Sequence, residues 1–600
     1  MNLSPEDKSI GQENFLQAVG TTRRDFLKGT IVAGATTSAS IGAMYFGYGA
    51  TIENPVRIGI IGTGDEGNVL IGALNPEYVD VVAIADIRPY NIHRAFHGDY
   101  SSDAALAARP GLLKVYEKVH GWKNQAEAQK QIKVYTDRYE ELLADPDVEG
   151  VIIALPLWLH NEAAIKAMQA GKHVLTEKLM ARTVGQCKEM GRVSATENKI
   201  LATGHQRHYS VLYANAVDQI KQGLIGEIHH IRAQWHRSNM PGSDSWQPPL
   251  PEPKEYTQRE YDLALREATK KGRTAVLELA AAHPLRAKWR SWNGKLQNAI
   301  KAKNTKDIEL WQARLNQVES QLRDIDVVAE DYGYFDKILE GGAGRRRSAR
   351  EELIRWRLWE RTGAGLMAEL GSHQLDAASI FISAQQGEGK KVKPLSVIGS
   401  GSRSIFPADR EVDDHVYTIF EFPGPGYYQD GSDTLVADPN KKIVVTYSSI
   451  NGNGFGGYGE VVSGTKGTLI LEREKEVMLY KGSSTSTSIT VTKGKDGPQL
   501  DTTETGGGPP AALAQTALPT NVSRGYQEEI EHWAWCIRNP SPENQPKCKP
   551  EVAMADAVIA LTSNMAMKEN RRIEFQPEWF DIDSDETPEG IPPRPLGELG

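Results

Sequence analysis

The chain has 600 residues and a formal net charge of -9 at neutral pH. A chain of this length can bury several hydrophobic cores, which favours two or more domains over one. The acidic balance argues against nucleic acid as the main partner, because no surplus of basic residues exists to neutralise phosphates.

Residues 1-50 have the pattern of an export signal. Thr22 to Lys28 reads TRRDFLK and stands directly before a weakly apolar run, Gly29 to Ala50. Paired arginines followed by a Phe-Leu pair and a lysine are typical of a twin-arginine signal. We therefore expect recognition by the twin-arginine export machinery and a periplasmic location, with a mobile basic segment as the alternative. No clear cleavage site follows, so an uncleaved signal that anchors the chain stays open as well.

Residues 51-204 begin with a complete β-α-β unit for binding a dinucleotide. A short apolar run, Val56 to Ile61, predicts a buried parallel strand. Three glycines follow in the spacing GxGxxG, which suits a tight turn, a close approach of the backbone to a pyrophosphate, and close helix packing: Gly62, Gly64 and Gly67. A second apolar run, Val79 to Ala85, ends in Asp86, whose carboxylate can bind an adenosine ribose. This order of elements predicts a Rossmann domain.

The residues after these strands concern the cofactor. Asp86 favours NAD, whereas the guanidinium of Arg88 could accept the 2'-phosphate of NADP, so the sequence leaves the choice open. Pro156 and His160 follow another predicted strand, Gly150 to Leu155, at the edge where open α/β sheets bind ligands. For His160 two interpretations stay open, a contact with nicotinamide or substrate, or a helix N-terminal histidine that bonds only backbone.

A lysine follows the next predicted strand, His173 to Thr176. Glu177 and Lys178 thereby reach the same edge of the sheet. A lysine there can hold a substrate hydroxyl and, when partly desolvated, stabilise developing negative charge. A solvated lysine at a strand end is the plainer alternative.

Residues 205-520 predict an α+β domain with an open mixed β-sheet. Its first strand, Glu227 to Trp235, is followed by His236, whose side chain could face the cleft. Six further strands alternate with glycine-rich turns: Leu395 to Gly399, His415 to Phe422, Lys442 to Ser448, Val461 to Ser463, Thr468 to Leu471 and Val477 to Tyr480. The stretch Lys481 to Thr520 is rich in Gly, Ser, Thr and Pro, and we expect a surface excursion with little core.

Residues 241-350 interrupt this second domain. Apolar side chains recur there at helical spacing between Ile308 and Leu322 on an otherwise charged stretch. We predict a helical hairpin that covers the cleft or contacts another subunit, with plain scaffold as the alternative.

Gly365 to Asp376 reads GLMAELGSHQLD and is a second chemical centre. Glu369 and His373 are four residues apart, which on an α-helix puts them on one face and within mutual reach. A carboxylate can orient an imidazole, and histidine is the natural general base for a hydroxyl proton at neutral pH. An ordinary structural pair is the alternative.

The C-terminal part predicts two amphipathic helices and a tail. Residues 521-576 contain the helices, Ser523 to Ile537 and Val552 to Asn570, which we expect to brace the nucleotide domain, and residues 577-600 form the tail. The three cysteines, Cys187, Cys536 and Cys548, show no zinc spacing, so no metal site is predicted. A bridge between Cys536 and Cys548 stays open against buried, inert thiols.

Several of these motifs resemble the glucose-fructose oxidoreductase and inositol dehydrogenase family, Gfo/Idh/MocA. The likeness runs from about Val56 to Glu574, without the long insertions. It is carried by the glycine motif, by ALPLWLHNEAAIKAMQAGKHVLTEK ending at Lys178, by GHQRHYS starting at Gly204, and by GLMAELGSHQLD. The family signature after the strand His173 to Thr176 is Glu-Lys-Pro, and here Leu179 stands in place of the proline.

The resemblance implies roles for individual residues. It implies that Lys178 is catalytic, that His373 accepts a proton, and that Glu369 replaces the usual aspartate of the catalytic pair with a longer arm. Arg207 resembles the substrate-side arginine of the family, and Glu177 belongs to the cofactor-binding edge.

Together these observations lead to an α/β protein with an N-terminal Rossmann domain and a C-terminal α+β domain. The resemblance implies a homo-oligomeric NAD(P)-dependent oxidoreductase that transfers hydride from a sugar, polyol or related cyclic alcohol, and the N-terminal signal implies its export. An exported enzyme meets no free NAD(P) pool, so we expect a tightly bound NAD or NADP. Two alternatives stay open, a glycoside hydrolase or lyase that works through transient oxidation, and a non-catalytic sugar-binding protein.

Overall fold

Two β-sheets, one for each predicted domain, organise the chain. The computed structural model describes residues 3–30, 41–251, 256–342, 344–386, 391–482, 484–494, 497–501 and 524–599. Both sheets lie within these ranges, and both predicted domains are confirmed as an N-terminal Rossmann domain and a C-terminal domain with a mixed sheet.

The Rossmann sheet has six parallel strands in the order β3-β2-β1-β4-β5-β6. Its strands are apolar and almost fully buried because helices cover both faces, as parallel sheets require. The strands are β1 Val56–Ile61, β2 Val79–Ala85, β3 Lys133–Tyr135, β4 Gly150–Ile153, β5 His173–Glu177 and β6 Leu201–Gly204. The helices before and within this domain are α1 Pro5–Thr30, α2 Ile41–Phe46, α3 Asp65–Gly72, α4 Pro89–His97, α5 Asp103–Ala108, α6 Leu112–Val115, α7 Gln125–Ala128, α8 Tyr139–Leu143, α9 His160–Gln169 and α10 Val184–Thr196.

The C-terminal sheet has eight strands in the order β15-β14-β13-β7-β12-β11-β10-β18. Only β7 and β12 pair in parallel, so the sheet is mixed. Its strands are β7 Ile228–His236, β10 Ser396–Ser402, β11 His415–Pro423, β12 Lys442–Ile450, β13 Tyr458–Gly464, β14 Gly467–Glu472, β15 Glu476–Lys481 and β18 Ile573–Glu574. Seven of these match predicted strands. The two-residue β18 was not predicted, since it is too short to show a period.

Two helices cover the inner face of this sheet, α18 Ser372–Gln386 and α20 Pro550–Glu569, and α11 Val211–Lys221 packs on α18. α20 also contacts α10 and β6 of the Rossmann domain, and α19 Tyr526–Arg538 packs against β1, β5 and β6. The predicted bracing of the nucleotide domain therefore has its counterpart in both helices. The three cysteines are buried free thiols.

The insertion is helical and packs against the Rossmann domain. Its helices are α12 Gln258–Lys271, α13 Arg273–Ala282, α14 Pro284–Lys301 and α15 Thr305–Leu322, with a small hairpin of β8 Lys337–Ile338 and β9 Arg346–Arg347. The short helices α16 Ala349–Ile354 and α17 Glu360–Gly363 come at and after its end. Apolar residues of α15 pack on α14, with Val318 and Leu322 against Leu285. α15 also contacts α4, beside the carboxyl end of β2.

The described residues before the Rossmann domain are packed on the folded chain. Phe15, Ala18 and Val19 of α1 are buried. Asn14 Nδ2 donates to the Leu479 carbonyl at 3.0 Å, and α1 lies against β15. Residues 31–40 of the expected apolar run, and the side chains of residues 21–30, lie outside what the structure describes. Among the described helices, none combines the length and the apolar character needed to cross a bilayer.

The region after β15 contains a second small hairpin, β16 Thr490–Gly494 with β17 Gly497–Asp501. The rest of the expected surface excursion, residues 502–520, lies outside the described ranges. The predicted tail binds α10, since Lys188 Nζ donates to the Glu586 carbonyl at 2.7 Å and Arg594 Nη2 donates to Glu189 Oε2 at 2.8 Å. Residues 577–599 are thus part of the folded structure.

Candidate functional site

The glycine turn after β1 has the shape needed for a pyrophosphate. Gly62 has a φ of 87°, and a Cβ there would lie 2.4 Å from the Ala154 carbonyl oxygen. A Cβ at Gly67 would lie 2.1 Å from the Gly62 carbonyl oxygen, so α3 packs on the turn too closely for a side chain. Above Gly64 the space is open, with the nearest atom 3.9 Å away. This open side and the N-terminus of α3, which begins at Asp65, fit a bound dinucleotide pyrophosphate.

An acidic side chain in this turn is neutralised by arginines. Asp65 Oδ1 lies 2.7 Å from Arg94 and 3.3 Å from Arg109, and Asp65 Oδ2 lies 3.6 Å from Arg357. Burial alone would raise the pKa of Asp65, but these charges hold it below its usual range. Asp65 therefore does not repel an anion at the turn. The variable positions of GxGxxG carry no signal that would predict this cluster.

Asp86 lies at the end of β2, as expected, and the glycine turn holds its carboxylate. The Thr63 backbone N–H donates to Asp86 Oδ2 at 2.7 Å, and Asn91 Nδ2 donates to the same oxygen at 3.1 Å. Burial raises the pKa of Asp86 although these hydrogen bonds oppose the shift. The carboxylate lines the cavity at the point where a Rossmann fold binds the adenosine ribose.

Arg88 is already occupied by the insertion. Its Nε and Nη2 donate to Asp324 Oδ2 at 2.9 and 2.8 Å, and the Asp324 side chain is only 1% exposed. Asp324 Oδ1 also accepts the Tyr90 backbone N–H at 3.0 Å. The carboxylate from the insertion thus neutralises the guanidinium that a 2'-phosphate would need. Sequence spacing could not reveal this pair, because its members are far apart in the chain.

Lys178 lies at the carboxyl end of β5 and points across the cleft. Its Nζ donates to the Glu369 carbonyl at 2.8 Å and lies 3.8 Å from Glu369 Oε2. The peptide bond to Leu179, which stands in place of the family proline, is cis. The adjacent Glu177 is buried, and burial together with the neighbouring Glu66 raises its pKa to about 8. The ammonium of Lys178 therefore lies beside a carboxyl group that stays protonated at neutral pH.

His373 lies in the first turn of α18 and lines the same cavity as Lys178. Its imidazole lies 5.7 Å from the Trp235 ring, centroid to centroid. No hydrogen bond to another described residue occupies either ring nitrogen. Burial, reinforced by the charges of Lys178 and Arg207, lowers the pKa of His373 well below 6.5. The imidazole is therefore neutral at pH 7 and can accept a proton.

The expected pairing of Glu369 with His373 is not what the structure shows. Met367–Gly371 forms a π-helical turn, so the spacing of four residues no longer places the two side chains on one α-helical face. Glu369 Oε1 instead accepts from Arg357 Nε at 2.8 Å. Burial would raise the pKa of Glu369, but Lys178 and Arg357 hold it at about 2. Glu369 therefore positions cations, and it does not orient the imidazole.

Arg207 does not reach the cleft, contrary to the expectation. Its side chain is 1% exposed and is held by two carboxylates, with Nη2 2.8 Å from Glu474 and Nη1 3.4 Å from Glu460. Its guanidinium lies 5.9 Å from the Trp235 ring. Arg207 thus supports Trp235 from the protein interior.

His236 also lies away from the cavity. Its ring nitrogens face the Phe455 carbonyl at 2.8 Å and Ser448 Oγ at 3.0 Å. Successive residues of a strand point to opposite faces, so Trp235 and Arg237 face the cleft and His236 does not. The sequence predicted that His236 could face the cleft, but its two neighbours in the chain face it instead.

His160 contacts two backbone carbonyls, which agrees with the second of the two interpretations that the sequence left open. Its Nδ1 lies 2.8 Å from the Leu179 carbonyl and its Nε2 lies 2.8 Å from the Leu155 carbonyl. Burial lowers the pKa of this imidazole. His160 thereby connects the end of β4, next to Pro156, to the segment that carries Lys178. Pro156 and His160 both line the cavity.

A buried polar cluster supports α18 behind the cavity. His205 has Nδ1 3.8 Å from Asp376 and Nε2 4.0 Å from Asp556, and Lys391 bonds both carboxylates. Potential ligand atoms of His205, Cys548 and Asp556 lie within 4.8 Å of one another. Sequence spacing predicted no metal site, and it could not show this convergence of distant segments. Because the Lys391 ammonium already bonds both carboxylates, we assign the cluster to the support of α18.

The cavity measures about 1200 Å³ and extends from the glycine turn to His373. Residues that the sequence did not identify line the half near Lys178 and His373, which we call the catalytic end: Trp235, Arg237, Arg357, Tyr458, Arg524 and Tyr526. They come from strand ends and loops of the C-terminal domain. One cavity therefore joins the dinucleotide cradle to a lysine and a histidine.

Comparison with known proteins agrees with this geometry in the N-terminal domain. Residues 56–205 match the family model GFO_IDH_MocA, described as an oxidoreductase family with an NAD-binding Rossmann fold. A Glycosyl hydrolase family 109 protein of Solibacter usitatus is 27% identical over 35% of this chain and 44% of its own length. A 1,5-anhydro-D-fructose reductase of Ensifer adhaerens is 37% identical over 14% of this chain and 26% of its own length.

The matches to both relatives span less than half of each relative's length. Among solved structures, a levoglucosan dehydrogenase in complex with NADH and L-sorbose is 16% identical, over 87% of this chain and 99% of that chain, with a TM-score of 0.46.

Proposed function

We propose that this chain, whose residues 56–205 carry the NAD-binding domain of the Gfo/Idh/MocA oxidoreductases, oxidises a hydroxyl group of a sugar, polyol or related cyclic alcohol. One observation carries the proposal. Lys178 and His373 line the catalytic end of a cavity whose other end is the glycine cradle. The reductase among the relatives, named for an anhydro sugar, supports a carbohydrate substrate.

The chain's own residues divide the work of the reaction. The Lys178 ammonium donates a hydrogen bond to the reacting oxygen and stabilises negative charge as it develops there. His373, neutral at pH 7, removes the hydroxyl proton. Glu369 and Arg357 fix the position of Lys178 through the contacts described above. Bound NAD supplies the hydride acceptor, and the side chains of the cavity keep water away from the reacting carbon.

We propose NAD in preference to NADP, held tightly. Asp86 is available to a ribose, whereas Arg88 is neutralised by Asp324. The insertion closes this side of the cavity through Gln321 and Lys288, which line it. These contacts support slow release of the dinucleotide.

The test is a panel of sugars, polyols and cyclic alcohols, followed by the absorbance of reduced nicotinamide. We expect one or more of them to reduce bound NAD. Lys178→Ala and His373→Ala should each lower turnover at least about 100-fold, the usual scale of acid-base catalysis. Full activity of both variants on the identified substrate would refute the proposed roles.

A second candidate is a glycoside hydrolase that oxidises its substrate only transiently. The Glycosyl hydrolase family 109 relative favours it. Both functions share the first step at Lys178 and His373. Incubation of the purified protein with nitrophenyl glycosides and no added cofactor separates them. Nitrophenol release without net reduction of NAD supports hydrolysis, whereas reduction without nitrophenol release supports the dehydrogenase.

We also propose export by the twin-arginine route, on the strength of Arg23 and Arg24 before the Phe26-Leu27 pair. That route carries folded proteins, so a dinucleotide bound in the cytoplasm can travel with the chain. Fractionation of cells that express wild type or a variant with both arginines changed to lysine tests this. Equal periplasmic amounts of both proteins would contradict it.

A further inference from the structure

Arg237 occupies a distinct place at the catalytic end of the cavity. It follows β7 directly, and alternation along the strand puts it on the same side as Trp235. Its guanidinium carbon lies 5.5 Å from the Trp235 ring and 5.9 Å from the Trp246 ring. Contacts with two aromatic rings hold the guanidinium in place at the wall of the cavity.

Among the described residues, no carboxylate or carbonyl oxygen accepts a hydrogen bond from this guanidinium. The other cations of the catalytic end each have such a partner. Lys178 bonds the Glu369 carbonyl, Arg357 Nε donates to Glu369 at 2.8 Å, and Arg524 Nε donates to Glu474 at 2.6 Å. Arg237 is therefore the cation at this end of the cavity whose guanidinium donates to no oxygen of the described residues.

Arg237 is partly buried, and burial lowers its pKa although the charge of Glu369 opposes the shift. A charged side chain with a shifted pKa that lines a cleft is a candidate for ligand binding. The same Trp235 ring lies 5.7 Å from His373 and 5.5 Å from the Arg237 guanidinium. A small ring-shaped substrate that presents a hydroxyl to His373 can therefore reach Arg237 with another substituent.

We propose that Arg237 binds a carboxylate of the substrate, so that the substrate is an acidic sugar or cyclic polyol, such as a uronic acid. This inference rests on the proposed oxidation of a carbohydrate hydroxyl. A guanidinium presents two parallel N–H groups that match the two oxygens of a carboxylate. A phosphate monoester carries more negative charge than a carboxylate. Arg237 is a single cation, and the nearby Glu369 carboxylate would repel the additional charge.

The test compares a neutral aldose, its uronic acid and its phosphate ester as substrates of the NAD-loaded protein. The variants are Arg237→Gln, which removes the charge, Arg237→Lys, which keeps it, and Arg232→Gln as the control. Arg232 lies on the same strand but is exposed and outside the cavity. Direct binding of each compound is measured in parallel by calorimetry.

We expect the uronic acid to have the highest kcat/KM, and Arg237→Gln to lower it by about 10- to 100-fold, mainly through KM, the usual loss for a hydrogen bond to a charged group. Arg237→Lys should retain part of the activity, and Arg232→Gln should match wild type. Preference for the neutral aldose or the phosphate ester would overturn the proposal, and so would an equal loss on all three compounds. If none of the three compounds is oxidised, the proposed function fails. The role of Arg237 would still be supported if the uronic acid binds to wild type and no longer binds to Arg237→Gln.

Discussion

At the scale of single residues, the site depends on how charges are paired inside one cavity. Lys178 and the glycines could be predicted from sequence, because each follows a strand whose apolar pattern is plain. Arg237, Arg357 and Asp324 could not, since their importance lies in which partner each has or lacks. Helical spacing predicted that Glu369 pairs with His373. In the structure Glu369 lies in a π-helical turn and accepts a hydrogen bond from Arg357 instead.

The low pKa of His373 predicts the pH dependence of oxidation. A base with a lowered pKa stays neutral until the pH falls below that value, so activity should be lost only well below pH 6.5. We expect kcat/KM to be nearly constant from about pH 8 down to pH 6.5, with the acidic limb beneath it. A steady-state pH profile measures this. An acidic limb centred at or above 6.5 would contradict a buried, neutral His373.

The raised pKa of Glu177 predicts a pH-dependent gain in stability for Glu177→Gln. The carboxyl group is neutral below pH 4.5 in both folded and unfolded chains, so the variant and wild type should be equally stable there. As the pH rises from 4.5 to 8, only the unfolded chain ionises readily, and wild type loses stability that the glutamine variant keeps. Above pH 8 the advantage should be constant, at least about 1 kcal/mol.

Thermal unfolding of the dinucleotide-free protein near pH 5 and near pH 9 measures this difference. Glu197→Gln, an exposed change on the same domain, is the control and should show no pH-dependent gain. A stability loss in Glu177→Gln at the higher pH would mean that Glu177 is ionised and paired.

At the scale of elements, sequence periodicity identified the strands and helices but not what they touch. Val318 and Leu322 showed that α15 has an apolar face, and that face packs on α14. The docking of α15 on the Rossmann domain relies on polar contacts, such as Gln317 Oε1 accepting the Tyr100 N–H at 2.6 Å. Polar contacts of this kind have no period in the sequence. The sequence therefore left open whether the insertion covers the cleft or contacts another subunit, and the structure shows α15 against α4 of the Rossmann domain.

The contact between Asp324 of the insertion and Arg88 predicts cofactor selectivity. Asp324→Asn removes the charge that neutralises Arg88, so the guanidinium becomes available to a 2'-phosphate. We expect the ratio of NADP to NAD affinity to rise at least about 10-fold, as for a gained bond to a charged group. Equilibrium titration of both dinucleotides measures the ratio, with the exposed Asp326→Asn as control. An unchanged ratio would exclude Arg88 as a selectivity residue.

At the scale of the whole molecule, the N-terminal residues contribute to the fold as well as to the expected signal. Phe15, Ala18 and Val19 are buried against the C-terminal domain. The sequence did not predict this packing, because the apolar residues of α1 are few.

The outer face of the C-terminal sheet predicts association between copies of the chain. Ile398, Tyr417 and Ile419 point outward on neighbouring strands and are 44%, 47% and 48% exposed. Contiguous exposed apolar side chains of this kind favour an interface. We expect a dimer or larger assembly by sedimentation, and dissociation on Ile419→Glu. A monomeric wild type, or an assembly unaffected by the charge, would contradict this.

In the proposed reaction, Lys178 stabilises negative charge and His373 removes a proton while a retained NAD accepts hydride. This reaction is tested most directly by mixing extensively dialysed protein, with no added cofactor, with the substrate found in the panel and following nicotinamide absorbance in a single turnover. We predict reduction of bound NAD in wild type and, in His373→Ala that retains its dinucleotide, reduction slower by at least about 100-fold. Loss of the dinucleotide on dialysis, or equally fast reduction in the variant, would contradict the account.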